Sequence, residues 1–529
     1  MLTGFTPTPQ AAALIQPVPE SSTLTVNVAF RNTRDVCYCE KNHRLTDEKY
    51  IFTVSDDGTR ADVICSGKKS AFYALRDISC RLADNTLQSG TFTGAPSFAV
   101  RGYIEGFYGT PWSHGERTSV LALMAENRMN TVYYAPKDDD YHRALWRSLY
   151  PDDALAKLKE LADEAAAYYM DFYWCIAPGL SMHYADDREF EALMQKTKQL
   201  YGIGIRRFGL LLDDISEHLI FPEDVAMYGE TVNAHIALIE RYYNALTDMD
   251  PAIRLTVCPT QYHGRGNEYF IAKLGQNISP KISVFWTGRD ICSRELTSRE
   301  AVDFIEGTRH KPLYWDNYPV NDCAMFNEMH LGPVINRDPD LHKYAEGIIA
   351  NCMEYAECSK IPLITIADYL WDSEHYDPEA AWQKAIGRII GSQNVAAFLP
   401  FADHLRTSCL MDDNSPSMVQ AFIRMEAAMN AGDKDTLFAV MEELSREMDK
   451  ARELLRQDLP LFREMARWIQ KFGIACDILH KVLALKDGRD DAVLEEIDIL
   501  SVLYENDPTR LTEDININAE VCKLLAALA

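Results

Sequence analysis

The sequence predicts an α/β fold: a (β/α)8 TIM barrel, with a small α/β domain before it and a helical bundle domain after it. Three observations predict this. Eight short apolar runs recur from about residue 98 to residue 352. Helical stretches separate most of them. Each run ends in polar, aromatic, glycine or proline residues, which suits loops gathered at the mouth of a barrel of parallel strands. The boundaries read from these changes of pattern are 1–97, 98–392 and 393–529.

In the first region, "SSTLTVNVAF" and "YIFTVSDDGTRADVICSG" alternate as strands, and Asp57-Gly58 supplies a hairpin turn. "KKSAFYALRDISCRLA" follows with Phe72, Leu75, Ile78 and Leu82 at helical spacing. "LQSGTFTGAPSF" is rich in turn formers and reads as a boundary.

The barrel strands read as "FAVRGYIE", "MNTVYYAP", "DFYWCIAP", "RRFGLLLD", "RLTVCPTQY", "KISVFWTG", "KPLYWDN" and "EGIIANC". Between them, Ser113 and Glu116 form a capping box before "RTSVLALMAENR". "DDALAKLKELADEAAAYY" and "REFEALMQKTKQLYG" each carry an apolar stripe. An open doubly wound sheet is the alternative, but no glycine-rich phosphate loop follows the first strand. Beyond residue 393 the strands stop and amphipathic helices joined by short links predict a bundle.

Composition narrows the function. The chain has 529 residues, 47% hydrophobic and 25% charged, as in soluble globular proteins. No run of 18 apolar residues predicts a membrane span. A net charge of −26 opposes approach to nucleic acid or an anionic membrane. The 13 cysteines are scattered from Cys37 to Cys522 without a CxxC pair, so no zinc site is expected. Cys37 and Cys39 fit alternate strand positions, and Cys175, Cys258 and Cys476 sit in apolar runs. Reduced thiols and the lack of a basic, apolar leader predict a cytoplasmic protein.

The strand exits carry the chemistry. They read "EGFYGTPWS", "APKDDDYH", "APGL", "DDIS", "CPTQYH", "WTG", "WDNYPVND" and "NCMEYAECSK". Trp and Tyr rings beside Asp, Asn and Lys are what a sugar site needs: rings stack on C–H faces, and polar groups bond the hydroxyls. Asp213 and Asp214 stand out, because adjacent carboxylates at the mouth of a core are costly unless something requires them. Taken alone they would also serve as solvated helix caps. Tyr108 and Trp315 would equally serve as packing, and Lys137 beside Asp138, Asp139 and Asp140 as a solvated ion cluster. His142, His183, His218 and His263 read as structural.

In this order, "RGYIEGFYGTPWS", "YYAPKDDDYH…LWR", "IAPGL", "LLLDDIS", "CPTQYH", "WTG", "WDNYPVND" and "NCMEYAECSKIPL" resemble glycoside hydrolase family 84, the β-N-acetylglucosaminidases that include the O-GlcNAcases. The likeness runs from about residue 5 to 400 and extends to that family's hexosaminidase-type N-terminal domain. It implies a retaining, substrate-assisted hydrolysis of terminal β-linked N-acetylglucosamine, with the 2-acetamido oxygen as nucleophile and an oxazoline intermediate. By match to the family pair, Asp213 would orient the acetamido N–H and Asp214 would be the acid and base. Such neighbouring carboxylates repel, which is expected to raise one pKa and retain a proton. Adjacent side chains of a strand face opposite ways. The backbone is therefore predicted to leave the strand at Asp213, so that both carboxylates reach the pocket.

The resemblance further points to Gly106 and Tyr108 as pocket lining, Lys137 as a hydroxyl donor, and Tyr262 as the donor to the acetamide oxygen. Trp315 would wall the acetamide pocket, Asn317 would lie near the reacting centre, and Asp322 and Asn351 would bond sugar hydroxyls. The sequence departs from the family at Cys352, where proline is common, and at Asp316, where bacterial relatives often have an aromatic. No cofactor or metal is implied. The implied partners are β-N-acetylglucosaminide glycans or glycoproteins. Hydrolysis of another N-acetylhexosaminide, as in a hyaluronidase, and a sugar-binding protein without catalysis are the rival readings. The helical domain is open to a role in homodimerisation or in flanking the substrate groove.

Overall fold

The computed structural model describes residues 2–3, 5–15, 24–30, 48–83, 85–411 and 415–511. The readings made for Cys37, Cys39, Cys522 and the start of "SSTLTVNVAF" lie outside the described residues. Eight parallel strands close into a barrel: Val100–Glu105, Thr131–Tyr134, Asp171–Ile176, Arg207–Leu211, Arg254–Cys258, Ser283–Trp286, Pro312–Asp316 and Gly347–Asn351. Each pairs with the next in sequence, and the eighth closes on the first with Asn351 opposite Ile104. All eight predicted runs supply a strand.

Two apolar layers follow from strand alternation. Ile104, Tyr133, Cys175, Leu211, Phe285 and Trp315 fill the barrel interior. Neighbours such as Tyr134, Leu210 and Tyr314 face outward into the layer shared with the helices. The helix His114–Glu126 begins with the predicted capping box: Glu116 N donates to Ser113 Oγ at 3.3 Å, and Ser113 N donates to Glu116 Oε2 at 2.6 Å.

Before the barrel lies a five-stranded mixed sheet, covered by the helix Lys68–Ala83. Tyr50–Val54 and Arg60–Cys65 form the predicted hairpin, with Gly58 at φ +68° in its turn. The stretch read as a boundary also holds a strand. Gly90–Gly94 is a strand, antiparallel to Tyr50–Val54, and Phe92 stacks on Phe52 with centroids 4.9 Å apart. A partner strand and an aromatic cross-strand pair override the turn-forming composition.

After the barrel come the helices Pro416–Ala431, Lys434–Leu454, Pro460–Glu464, Ala466–Leu483 and Asp491–Asn506. "LPLFREMARWIQKFGIACDILHKVLALKDG" reads as one helix but breaks at Met465, so it supplies two. The Glu464 carboxylate at this break accepts from the backbone N–H of Glu357 and Cys358, at 3.1 and 2.9 Å. It thereby caps the helix Ala356–Trp371 that follows the eighth strand.

The sheet is fastened to the barrel floor by a buried ion pair. Arg101, on the first strand, meets Glu48 at 2.6 Å, and Asn130 donates to the other Glu48 oxygen at 2.9 Å. Burial alone would raise the Glu48 carboxyl; Arg101 and Lys69 outweigh it and hold it below its ordinary value. Glu48→Ala leaves the Arg101 charge buried and unpaired, and is expected to cost about 3–5 kcal/mol in denaturant unfolding. In the wild type this contribution is complete above the unfolded glutamate pKa of about 4.3 and is lost as pH falls through the depressed folded value. Unfolding measured as a function of pH, wild type against Glu48→Ala, checks the sign.

Candidate active site

At the carboxyl ends of the strands lies a cavity of about 610 Å³. All ten residues singled out from the sequence line it: Gly106, Tyr108, Lys137, Asp213, Asp214, Tyr262, Trp315, Asn317, Asp322 and Asn351. They come from six strand exits, and Ile291 on the loop after the sixth strand adds a seventh, because a barrel points all its exit loops at one face.

The aspartate pair is built by a turn in the backbone. Leu211 faces the barrel interior and Leu212 the outer layer, so Asp213 points inward by alternation. Leu212 N still bonds Cys258 O, at 2.8 Å, and Asp214 then adopts φ +52°. This left-handed step costs a non-glycine residue about 1–2 kcal/mol. It swings the second carboxylate to the same side as the first, and the chain leaves the strand where the sequence requires.

Lys137 sits between the two. Its Nζ donates to Asp213 Oδ2 at 2.8 Å and lies 3.7 Å from Asp214 Oδ2. The ammonium is thus turned into the barrel, away from the surface cluster suggested by "KDDD". Asp139 of that cluster instead accepts from the hydroxyls of Tyr134 and Tyr150, at 3.0 and 2.7 Å. Burial works against charge on Asp213, but Lys137 and its hydrogen bond outweigh it and hold the carboxyl below the usual range. Burial likewise opposes the Lys137 charge; Asp213, with Tyr108 and Asp214, overcomes it and raises the ammonium above its ordinary value. The repulsion expected between the aspartates is therefore answered by a cation they share.

Two phenols bracket Asp214. Tyr108 donates to Oδ2 at 2.8 Å and Tyr262 to Oδ1 at 3.2 Å. Burial and then Asp214 push the Tyr262 phenol up, so it remains a donor. Arg143, which sequence reasoning missed, donates to the Tyr108 hydroxyl at 3.0 Å. An arginine can only donate, so it directs the Tyr108 proton toward Asp214. Its place in "KDDDYHR" was the only available signal. Asp322 accepts from the backbone N–H of Tyr108 at 2.7 Å, and its carboxyl is raised by burial.

The far wall is an amide network. Asn317 Oδ1 accepts from Trp315 Nε1 and Asn351 Nδ2, each at 2.9 Å. Gly106 lets the first exit loop lie against this wall: a Cβ there would stand 2.7 Å from the Trp315 ring and 3.1 Å from Asn351 Oδ1. Cys352 keeps an N–H that proline lacks and donates it to Ile104 O at 3.2 Å, extending the pairing of the eighth strand with the first. Two buried acceptors at the cavity, Asp213 Oδ1 and Asn351 Oδ1, have no hydrogen-bond partner among the described residues. His142 is fully buried, with Nδ1 2.7 Å from Cys175 O, and burial lowers its pKa to about 4.

Comparison with known proteins gives a family model described as beta-N-acetylglucosaminidase, matching residues 101–403, more than half of the chain. The protein O-GlcNAcase of Rattus norvegicus is 29% identical over 286 residues, covering 52% of this chain and 31% of the relative. The mouse protein of the same name is 29% identical, covering 53% and 31%. The chain thus spans under a third of the length of these curated relatives. Among solved structures, an O-GlcNAc hydrolase mutant from Thermobaculum terrenum is 30% identical with a TM-score of 0.76, covering 82% of this chain and 95% of that one. The structure of CpGH84B, 24% identical, shares the fold with a TM-score of 0.85, covering 99% of this chain and 95% of its own.

Gly106→Ala is expected to lower stability by about 1–3 kcal/mol in denaturant unfolding, the usual cost of overpacking. Displacing the Trp315 ring should also weaken binding of N-acetylglucosamine at least about tenfold, measured by calorimetry, if the ring forms a sugar wall.

Proposed function

The chain belongs to the beta-N-acetylglucosaminidase family, and we propose that it is a retaining exo-β-N-acetylglucosaminidase acting by substrate assistance. The observation that carries this reading is the pair of carboxylates on one buried ammonium, with Asp213 Oδ1 left as an unpartnered buried acceptor. An acceptor of that kind suits an acetamido N–H. Asp213 Oδ2 is already committed to Lys137, which favours an orienting role over attack on carbon.

In this reading the acetamido oxygen closes on the anomeric carbon as the glycosidic bond breaks, and Asp213 holds the N–H as positive charge develops. Asp214 gives a proton to the leaving oxygen. It then takes one from the water that opens the oxazoline. Tyr262 changes partner: it releases Asp214 Oδ1 and donates to the acetamide oxygen. Asn351 Oδ1 and the Asp322 carboxylate accept from sugar hydroxyls, while Trp315 walls the acetamide.

O-linked N-acetylglucosamine on protein is the substrate class we favour, by likeness to relatives named for it. No helix among the described residues is long and apolar enough to cross a membrane. Ten described cysteines are unpaired, which supports a reducing, cytoplasmic setting. The helical region remains a candidate surface for homodimerisation.

Two aryl β-glucosides, one with a 2-acetamido and one with a 2-hydroxyl group, test the mechanism. Wild type should turn over only the first. Asp213→Asn and Asp214→Asn should each reduce its kcat/KM by about 10²–10⁴-fold. Equal turnover of both glucosides would require an enzyme nucleophile, and binding without turnover would indicate a sugar-binding protein. Lys137→Met should move the acidic limb of the kcat/KM profile to higher pH. With the cation gone, the main influence holding Asp213 down is lost while burial still raises it, so the ionised form is lost sooner as pH falls.

A further inference from the structure

Asp316 lies between Trp315 and Asn317, yet it turns its back on the cavity. Trp315 fills the barrel interior and Tyr314 faces the outer layer, so alternation sends Asp316 outward. There its side chain is 3% exposed and meets Arg337, itself 1% exposed. The pair is bidentate: Arg337 Nε donates to Asp316 Oδ2 at 3.0 Å and a terminal nitrogen to Oδ1 at 2.6 Å. The same guanidinium also donates to the backbone oxygens of Arg294 and Ser293, at 3.1 and 3.4 Å.

Arg337 therefore ties its own segment to the end of the seventh strand and to the loop after the sixth. Its own segment pairs with the loop after the sixth strand: Leu296 N donates to Asn336 O at 2.9 Å, and Asp338 N to Leu296 O at 3.0 Å. That loop carries Ile291, whose carbonyl accepts from Asn317 Nδ2 at 2.8 Å. This bond settles which way the Asn317 amide faces. With Nδ2 held, Oδ1 must accept, and it takes Trp315 Nε1 and Asn351 Nδ2. Asn351 then has only its oxygen to offer the cavity, and that oxygen is the unpartnered one.

We propose that Arg337 is a positioning residue. Through Asp316 and the 293–294 carbonyls it fixes the Ile291 carbonyl, and so the orientation of Asn317 and the acceptor that Asn351 presents to the sugar. This rests on the function proposed above and adds a specificity role: the wall is set to receive a hydroxyl hydrogen at Asn351. Lysine cannot replace the fork, since a single ammonium cannot serve a carboxylate bidentately and two carbonyls together.

A double-mutant cycle separates positioning from mere stabilisation. kcat/KM for the aryl 2-acetamido-β-glucoside is measured in wild type, Arg337→Met, Asn317→Ala and the double variant, each at a temperature where unfolding curves show it folded. Arg337→Met should lower kcat/KM by about 10–100-fold, the usual effect of losing a residue that orients a site group. In the Asn317→Ala background the same change should cost less than about twofold, because the group through which Arg337 acts is gone. Arg337→Lys carries the same cycle should the methionine variant not fold. Independent, multiplicative losses overturn the proposal, as does a lowered Tm with kcat and KM unchanged. If wild type binds N-acetylglucosamine without turnover, the function proposed above fails, and the cycle read in Kd still decides the role of Arg337. Absence of both turnover and binding in the wild type overturns the two together.

Discussion

Everything at the barrel mouth is arranged around one buried ammonium. Lys137 is 9% exposed and Asp213 8% exposed, and neither charge would persist at that depth alone. Together, at 2.8 Å, they do. The shared cation also makes it tolerable to place a second carboxylate next to the first, since their repulsion is answered from a common centre. The phenols of Tyr108 and Tyr262 then complete the shell of Asp214. A buried pair of this kind adds little to stability after desolvation, so its worth lies in the geometry it holds.

That geometry is a property of closure. Strand alternation gives each exit one inward and one outward side chain, and the fold uses both. Inward residues make the cavity. An outward residue one position away, Asp316, makes the bidentate contact with Arg337 that joins neighbouring exit loops. The left-handed Asp214 is where alternation is broken, and its strain is spent on bringing two adjacent carboxylates to the same side.

The barrel was legible because its strands are short apolar runs with polar exits, a pattern that survives without tertiary knowledge. The ten cavity residues were legible through motif order, since no single tripeptide carries them. Less was legible where a partner decides the outcome. Gly90–Gly94 reads as turn residues until Tyr50–Val54 is beside it. The helix break at Met465 is invisible in an unbroken amphipathic pattern, yet it places Glu464 over the start of another helix. Arg143 and Arg337 were missed for the same reason: each acts through a residue distant in sequence, Tyr108 in one case and Asp316 in the other. Lys137 was found, but its partner was not, because a cation flanked by three aspartates in sequence gives no sign that it pairs with a fourth, 76 residues away.

The atoms that the network leaves unpaired are as informative as those it pairs. In a folded chain nearly every buried polar atom has a partner, and each exception carries a desolvation cost of about 1–3 kcal/mol. Asp213 Oδ1 and Asn351 Oδ1 are two such exceptions at one cavity. Both are acceptors, and each is held rigidly by what its other end is doing: Asp213 by Lys137, Asn351 by Asn317. Neither can rotate to find a substitute without breaking a buried bond. A ligand that brings two hydrogen-bond donors at the matching spacing meets both acceptors at once. What the cavity can receive is thus stored in the free protein, in the directions the network does not allow its own groups to turn.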